Sequence, residues 1–136
     1  MKKFLLLIVI SSMIFGCSEE NEPNQTEVVG EIVAQWKLIY VHQRSWDSYI
    51  SDVSAKNIVY NFKSNGILDV SAETVLLKKG QHNYSFGEET LIIGGQNFET
   101  QVVTIENQKW IYSFSNGQMT ISELHSDGGT LTFVKV

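Results

Sequence analysis

The stretch that decides the fold runs from Trp110 to Glu123 and reads WIYSFSNGQMTISE. Apolar and polar side chains alternate on both sides of Asn116-Gly117, the pair that a two-residue type I′ turn prefers because both positions need a positive φ. The register that keeps one apolar face continuous pairs Ser115 with Gln118, Phe114 with Met119 and Tyr112 with Ile121. The stretch therefore predicts an antiparallel hairpin with one buried face.

A second hairpin is predicted upstream, on both sides of Ser64-Asn65-Gly66. A two-residue loop here would place Phe62 opposite Asp69, because a shift of one residue turns the partner strand over. A three-residue loop with Gly66 in a left-handed bulge instead pairs Phe62 with Leu68 and Tyr60 with Val70. The apolar pattern favours the three-residue loop.

Outward from these hairpins, the chain from Ala34 onward alternates with period two and has no helical stretch of ten residues. Many short strands separated by turn residues are typical of a β-sandwich or a β-barrel. The candidate strands are Gln35 to His42, Asn57 to Lys63, Ile67 to Ala72, His82 to Phe86, Thr90 to Ile93, Thr100 to Ile105, Trp110 to Ser115, Gln118 to Glu123 and Thr130 to Lys135.

Three connections are less regular. Glu88-Glu89 beside Gly87 is interpreted as a solvated hairpin tip, and the pattern from Ser45 to Lys56 indicates either a turn of helix or a lid over one end. The turn near Asp127-Gly128-Gly129 leaves its register open, because two loop lengths give comparable faces.

The alternation assigns a large apolar set to the inside of the predicted sheet. Buried aromatic side chains either fill a core or line a pocket, and eight strands enclose only enough room for side chains or one small ligand. Six of the set are the candidate ligand-binding residues: Trp36, Tyr40, Tyr60, Phe62, Tyr112 and Phe114. The remainder are Leu38, Ile58, Leu68, Val70, Tyr84, Phe86, Trp110, Met119, Ile121 and Phe133.

The first 16 residues have the pattern of a lipoprotein signal peptide. Lys2 and Lys3 form a basic start, an apolar run follows, and Ile14-Phe15-Gly16 precedes Cys17, the only cysteine. The apolar run is shorter than the roughly 20 residues that span a bilayer. Cys17 is therefore predicted to carry acyl chains such as palmitate, and two or more chains hold a protein stably on a membrane.

Residues 17–31 are predicted to form a flexible acidic tether, and residues 32–136 a single domain. Removing the leader takes away two of the ten Lys and Arg but none of the 15 Asp and Glu, so the formal charge changes from -5 to -7. This charge argues against nucleic acid as a partner, because phosphate binding needs a basic patch. A single cysteine also leaves the domain without an internal disulfide.

The sequence offers no motif for catalysis or for a metal. His42, His82 and His125 have no ligand-like spacing, no nucleophile elbow frames a serine, and Gly94-Gly95 lacks the lysine of a phosphate loop. We therefore expect no enzyme activity, no cofactor and no metal.

A second candidate surface lies in the 44–49 loop. Arg44, Trp46 and Tyr49 are residue types that concentrate at binding hot spots. They form either an exposed partner-binding patch or a cap on one end of the barrel.

Taken in order, several motifs resemble the small lipocalin-like lipoproteins of Bacteroidetes. They are the cysteine after the leader, the opening strand around Trp36, the hairpin at Ser64-Asn65-Gly66, and the ending from Asp127 to Lys135. The resemblance implies an all-β, up-and-down antiparallel barrel of about eight strands, closed at one end by Trp36. The Cys17-Ser18-Glu19-Glu20 start also resembles the acidic signal that sends such lipoproteins to the cell surface, although a solvated linker has the same composition.

The sequence therefore leads us to expect one function and to keep one alternative. The first is an outer-membrane lipoprotein, a monomer, whose barrel binds a small apolar or amphipathic ligand. The alternative is a protein-interaction or enzyme-inhibitor module that uses the 44–49 loop.

Overall fold

The structure, a computed structural model, describes residues 28, 30–45, 47–125 and 127–136. The predicted leader, Cys17, nearly all of the tether, and Trp46 lie outside the described residues. The strands are β1 (Gln35–Gln43), β2 (Tyr49–Asp52), β3 (Val59–Phe62), β4 (Ile67–Val70), β5 (Gly80–Ile93), β6 (Gln96–Ile105), β7 (Gln108–Ser115), β8 (Gln118–Glu123) and β9 (Thr130–Lys135), with a 3-10 helix at Ser54–Lys56.

The strands form a closed antiparallel barrel. Each of β3 to β8 pairs with the next strand along the chain, β1 pairs with β3, and β1 also pairs with β9 to close the sheet. Strand β2 is an addition that pairs with the second half of β1. The predicted all-β, up-and-down barrel of eight strands is confirmed.

Both predicted hairpin registers are confirmed. Phe62 lies opposite Leu68 across a three-residue loop in which Gly66 has φ 80°. Phe114 lies opposite Met119, and the turn residues Asn116 and Gly117 have φ 52° and 74°, as a type I′ turn requires. The turn near Asp127-Gly128-Gly129, whose register the sequence leaves open, lies between the end of β8 at Glu123 and the start of β9 at Thr130. There the Gly129 amide donates a hydrogen bond to Glu123 Oε2 at 2.8 Å.

The predicted hairpin tip at Glu88-Glu89 is wrong. Strand β5 continues through these residues, with Glu88 opposite Gln101 and Glu89 opposite Thr100. Glu89 accepts a hydrogen bond from Lys109 Nζ at 2.5 Å, so strand pairing and an ion pair across the sheet outweigh the local turn preference. The actual turn is Gly94-Gly95, where both glycines have positive φ.

Two residues predicted to point inward are exposed. Strand β1 contains a bulge between Leu38 and Tyr40, with Ile39 as the extra residue. The bulge shifts the alternation by one, so Val41 is buried and Tyr40 is 40% exposed. Phe114 keeps the inward alternation but lies at the end of its strand, where it is 47% exposed with its ring edge against Trp36.

The barrel has two different ends. We call one the plugged end; it carries residues 30–33 and the loops at 64–66, 94–95 and 116–117. Ile32 is fully buried there, and its carbonyl accepts a hydrogen bond from the Trp36 indole N–H at 2.8 Å. Gly30 passes so close to Phe86 that a Cβ at this position would lie 2.8 Å from the ring. We call the other the cleft end; it carries β2, the 3-10 helix and the loop 71–79.

Candidate functional site

A cleft of about 440 Å³ opens to solvent at the cleft end of the barrel. This volume lies within the usual range of small-molecule sites, about 300–1,000 Å³. We call it the end cleft; its lining residues are Val41, Tyr49, Ser51, Val53, Lys56, Ile58, Glu73, Thr74 and Val75.

The β1 bulge builds the first wall of the end cleft. By shifting the alternation it turns Val41 inward, and the Ile39 carbonyl accepts a hydrogen bond from the Val53 amide at 2.9 Å. Val53 is thereby held at the start of the 3-10 helix. One irregularity in β1 thus sets the position of two buried apolar residues of the cleft.

The 3-10 helix is fixed by a local carboxylate. Asp52 Oδ1 accepts hydrogen bonds from the Ser54 amide at 2.9 Å and from the Ser54 hydroxyl at 2.6 Å. These bonds favour the ionised carboxylate and lower the pKa of Asp52. Asn57, with φ 51°, ends the turn and returns the chain to β3, while Lys56 remains exposed at the rim.

The loop 71–79 forms the opposite wall. The Thr74 hydroxyl accepts from the Leu77 amide at 3.1 Å, and the Thr74 amide donates to the Leu77 carbonyl at 2.8 Å. The Ser71 hydroxyl accepts from the Val59 amide at 2.8 Å and ties the loop to β3. The wall is therefore held by several hydrogen bonds.

The end cleft combines an apolar floor with a charged rim. Val41, Val53 and Ile58 are buried, whereas Lys56 and Glu73 are exposed and carry opposite charges. A few polar groups around an apolar surface fix the orientation of a ligand in typical small-molecule sites. The arrangement fits a molecule with an apolar body and a polar or charged head.

The hydroxyl of a buried tyrosine lies beneath the wall that the loop 71–79 forms. Tyr60 is fully buried, and its hydroxyl makes no hydrogen bond to any of the described residues. Desolvation raises the pKa of Tyr60 to about 12, and the neighbouring Thr74 side chain acts in the opposite direction. Because buried polar groups are normally satisfied, this hydroxyl is a local cost to the stability of the barrel.

Substitution of Tyr60 and Tyr84 by phenylalanine should have opposite effects. Tyr60→Phe removes a hydroxyl without a partner, and we expect the free energy of unfolding at pH 7 to stay the same or to rise by up to about 1 kcal/mol. Tyr84→Phe removes the bond from its hydroxyl to the Lys63 carbonyl (2.6 Å), at a cost of about 1 kcal/mol. Urea denaturation measures both; a Tyr60→Phe variant less stable than Tyr84→Phe would contradict this account.

The same two tyrosines predict a loss of stability in alkali. The pKa of each is raised by burial from 10.0 to about 12, so the unfolded chain loses its phenolic protons first. This contribution to stability is complete below pH 10 and is lost as the pH rises to 12. Between pH 10 and pH 12, the free energy of unfolding should fall less for Tyr60→Phe than for the parent protein.

The predicted ligand-binding aromatics do not line the end cleft. Trp36, Tyr60, Phe62 and Tyr112 are buried inside the barrel, where their rings meet other aromatic rings. The edge-to-face pairs are Trp36 with Phe114 at 6.1 Å, Tyr60 with Phe133 at 4.9 Å, Phe62 with Tyr84 at 5.0 Å and Phe86 with Tyr112 at 4.9 Å. These contacts make them core residues, and Tyr40 lies on the outside.

Among the residues that the structure describes, two further buried polar atoms have no hydrogen-bond partner: Trp110 Nε1 and the Tyr112 hydroxyl. Burial raises the pKa of Tyr112, and the nearby Glu31 carboxylate raises it further. Glu31, beside the Tyr112 hydroxyl, belongs to the segment at the plugged end, whereas Thr74, beside the Tyr60 hydroxyl, belongs to the loop at the cleft end.

The predicted partner-binding residues are divided between two depressions. Tyr49 lines the end cleft and donates a hydrogen bond to Gln43 Oε1 at 2.8 Å. Arg44 lines a second, polar depression of about 490 Å³ with Gln43, Ser45 and Asp127. Trp46 lies outside the described residues.

The histidines are dispersed. His42 lies 2.9 Å from the Ser48 hydroxyl, and His82 Nδ1 lies 3.5 Å from Glu106 Oε1. In the part of the chain that the structure describes, no three His, Cys, Asp or Glu side chains are grouped as a metal would need. Nor does that part contain a helix long and apolar enough to cross a membrane.

Comparisons with known proteins found no matching family model, no matching curated protein and no matching solved structure. What defines the class of this protein is its own geometry: a closed eight-stranded antiparallel barrel with a cleft at one end.

Proposed function

We propose that the protein is a membrane-anchored lipoprotein with a lipocalin-like barrel that binds a small apolar or amphipathic molecule in the end cleft. The observation that carries the proposal is the cleft itself, with buried Val41, Val53 and Ile58 below a rim of Lys56 and Glu73. The ligand is proposed to bind at the end of the barrel and not in its interior, because the interior aromatics contact one another.

The anchor is proposed from the sequence. Lys2, Lys3 and the apolar run before Gly16-Cys17 support a lipoprotein signal, and the acidic residues after Cys17 support export to the outer membrane or beyond it to the cell surface. The order of motifs also supports kinship with the small lipocalin-like lipoproteins of Bacteroidetes. The proposal includes no catalytic step, no cofactor and no nucleic acid.

The charged rim suggests which ligands the end cleft would prefer. Lys56 is the cation of the lining and Glu73 the anion, and both are exposed. An anionic head should be drawn to Lys56 while the apolar body covers Val53 and Ile58. Charge reversal at Lys56 should therefore affect anionic ligands more than neutral ones.

A pair of fluorescent probes tests this. Anilinonaphthalene sulfonate is anionic, and N-phenylnaphthylamine is its uncharged relative. We expect Lys56→Glu to weaken binding of the anionic probe about tenfold, which is 1.4 kcal/mol, and to leave binding of the neutral probe nearly unchanged. Val75→Asp, at a position that is 64% exposed, should weaken the binding of both probes.

The matched control is Ile50→Asp. Ile50 is an exposed β2 residue outside the lining of the end cleft, so both probes should bind this variant like the parent. Equal affinities of the parent, Lys56→Glu and Val75→Asp for both probes would reject the end cleft as the site.

One observation favours the protein-interaction alternative. Tyr49 and Ile50 are 45% and 67% exposed on β2, a strand that pairs with β1 alone among the described strands. Exposed apolar residues on an edge strand can add a strand from a partner. Alanine at Arg44, Trp46 and Tyr49 should then abolish capture of a protein partner. Binding of a small molecule in the end cleft should instead respond only to the change at Tyr49.

A further inference from the structure

The long β5–β6 hairpin extends beyond the barrel. Glu88 to Ile93 pair with Gln96 to Gln101, and among the described strands these residues pair only with each other. We call this two-stranded segment, residues 88–101, the arm. Five intervals between paired residues plus the turn give it a length of about 20 Å.

The tip of the arm is apolar and uncharged. Ile92 is 76% exposed, Ile93 47% and Phe98 46%. Residues 90–98 include no charged side chain. Because successive strand residues face opposite sides, Ile92 and Ile93 expose apolar surface on both faces of the ribbon. A tip that is apolar on both faces can be surrounded by lipid, whereas a flat protein surface would cover only one of its faces.

The arm leaves the barrel at the end where the chain enters it. Val28 donates a backbone hydrogen bond to the Ser64 carbonyl at 2.7 Å, and Gly30 contacts Phe86, two residues before the arm begins. Strand β5 runs from the cleft end toward the plugged end, so the arm extends away from the end cleft.

We propose that the tip of the arm, through Ile92, Ile93 and Phe98, rests in the headgroup region of the bilayer to which Cys17 anchors the chain. This inference rests on the proposed anchor. The 11 residue steps from Cys17 to Val28 span at most about 36–40 Å, so a tip that extends about 20 Å is within reach of that bilayer.

The depth of contact is limited by the backbone. Neither edge of the arm pairs with another of the described strands. Open sheet edges do not occur in the hydrocarbon region, because their N–H and C=O groups would lose their hydrogen bonds. Apolar side chains of interfacial segments enter about 5–10 Å into the boundary between headgroups and acyl chains. The arm therefore touches the membrane and does not cross it, and the end cleft faces away from the lipid.

A single-cysteine experiment tests the contact. In the acylated protein the Cys17 thiol is blocked, so Ile92→Cys supplies the one free thiol for the fluorophore NBD. The matched control is Ile50→Cys, at an isoleucine of the cleft end that is 67% exposed, against 76% for Ile92. Both labelled proteins are bound to vesicles of phosphatidylethanolamine and phosphatidylglycerol, with and without brominated acyl chains.

We expect the probe at residue 92 to emit at shorter wavelength on vesicles and to be quenched by brominated lipid, whereas the probe at residue 50 shows neither effect. Equal emission and equal quenching at the two positions on vesicle-bound protein would overturn the inference and leave the anchor intact. Protein whose mass shows no acyl chains would refute the anchor, and the inference would fail with it.

A second copy of the chain is the competing occupant. The Cys17→Ser form of each labelled protein, with its label placed selectively at residue 92 or 50, is measured without vesicles. If the probe at residue 92 shows the same blue shift there, and the shift disappears on dilution, the tip pairs with another copy and the membrane contact is wrong. An unshifted spectrum without lipid supports the membrane.

Discussion

Replacing Trp36 with alanine is expected to lower the free energy of unfolding by about 3–5 kcal/mol, a large part of the stability of a small domain. Trp36 is 1% exposed and is among the largest fully buried side chains of the barrel. Its indole N–H donates to the Ile32 carbonyl, and its ring meets the edge of Phe114. The alanine variant loses this packing and also releases the segment that closes the plugged end.

Trp36→Phe separates the two contributions. Phenylalanine keeps an aromatic ring in the core but leaves the Ile32 carbonyl without its donor, so the expected loss is smaller, about 1–3 kcal/mol. Denaturant unfolding followed by circular dichroism measures both variants. If Trp36→Ala were within about 1 kcal/mol of the parent, Trp36 would not be the central packing residue of the plugged end.

Replacing Cys17 with serine is expected to have the largest effect on whether the protein is found in the membrane fraction. Serine cannot form the thioether that carries the acyl chains, so the variant should move from the membrane pellet to the soluble fraction. Acyl chains contribute about 0.8 kcal/mol per buried CH₂, which makes anchoring by two or more of them effectively complete. Cell fractionation with immunoblotting measures the change.

The fold should not depend on this anchor. The barrel core lies within residues 28–136, so the thermal midpoint of Cys17→Ser should equal that of the parent in detergent. The neighbouring substitution Ser18→Ala is the control and should leave the protein in the pellet. A Cys17→Ser variant that remained in the pellet would contradict the anchor.

The hairpins could be predicted from the sequence because their information is local. Asn116-Gly117 selects a turn, and the alternation around it selects one register. Around Gly66 the position of Asp69 excludes the shorter loop, and the observed pairing of Phe62 with Leu68 agrees. In each case a single shift would have turned apolar residues outward.

The end cleft could not be predicted, because it depends on the bulge at Ile39. Trp36, Leu38 and Tyr40 continue one unbroken alternation, and the extra residue becomes visible only when β9 is paired beside it. The bulge exposes Tyr40 and brings Val41 to the cleft. The remaining lining comes from segments around Val53 and Thr74 that are separated in sequence.

The sequence does not predict the arm, because the local composition resembles that of a turn. Gly87-Glu88-Glu89 is polar and contains glycine, but strand β6 and the ion pair from Glu89 to Lys109 hold it extended. The predicted strands divide β5 into His82 to Phe86 and Thr90 to Ile93, and they leave Phe98 outside any strand. The Gly94-Gly95 pair was the signal that could have located the turn.

The most direct test of the central claim is to map a bound ligand by NMR. The full chain carrying Cys17→Ser is labelled with nitrogen-15 and titrated with anilinonaphthalene sulfonate. We predict that the shifted amide signals belong to the end cleft, above all Ser51, Lys56, Thr74 and Val75. Signals that shift around Tyr112 and Phe114 instead, or no shifts at saturating probe, would contradict the claim that the end cleft is the binding site.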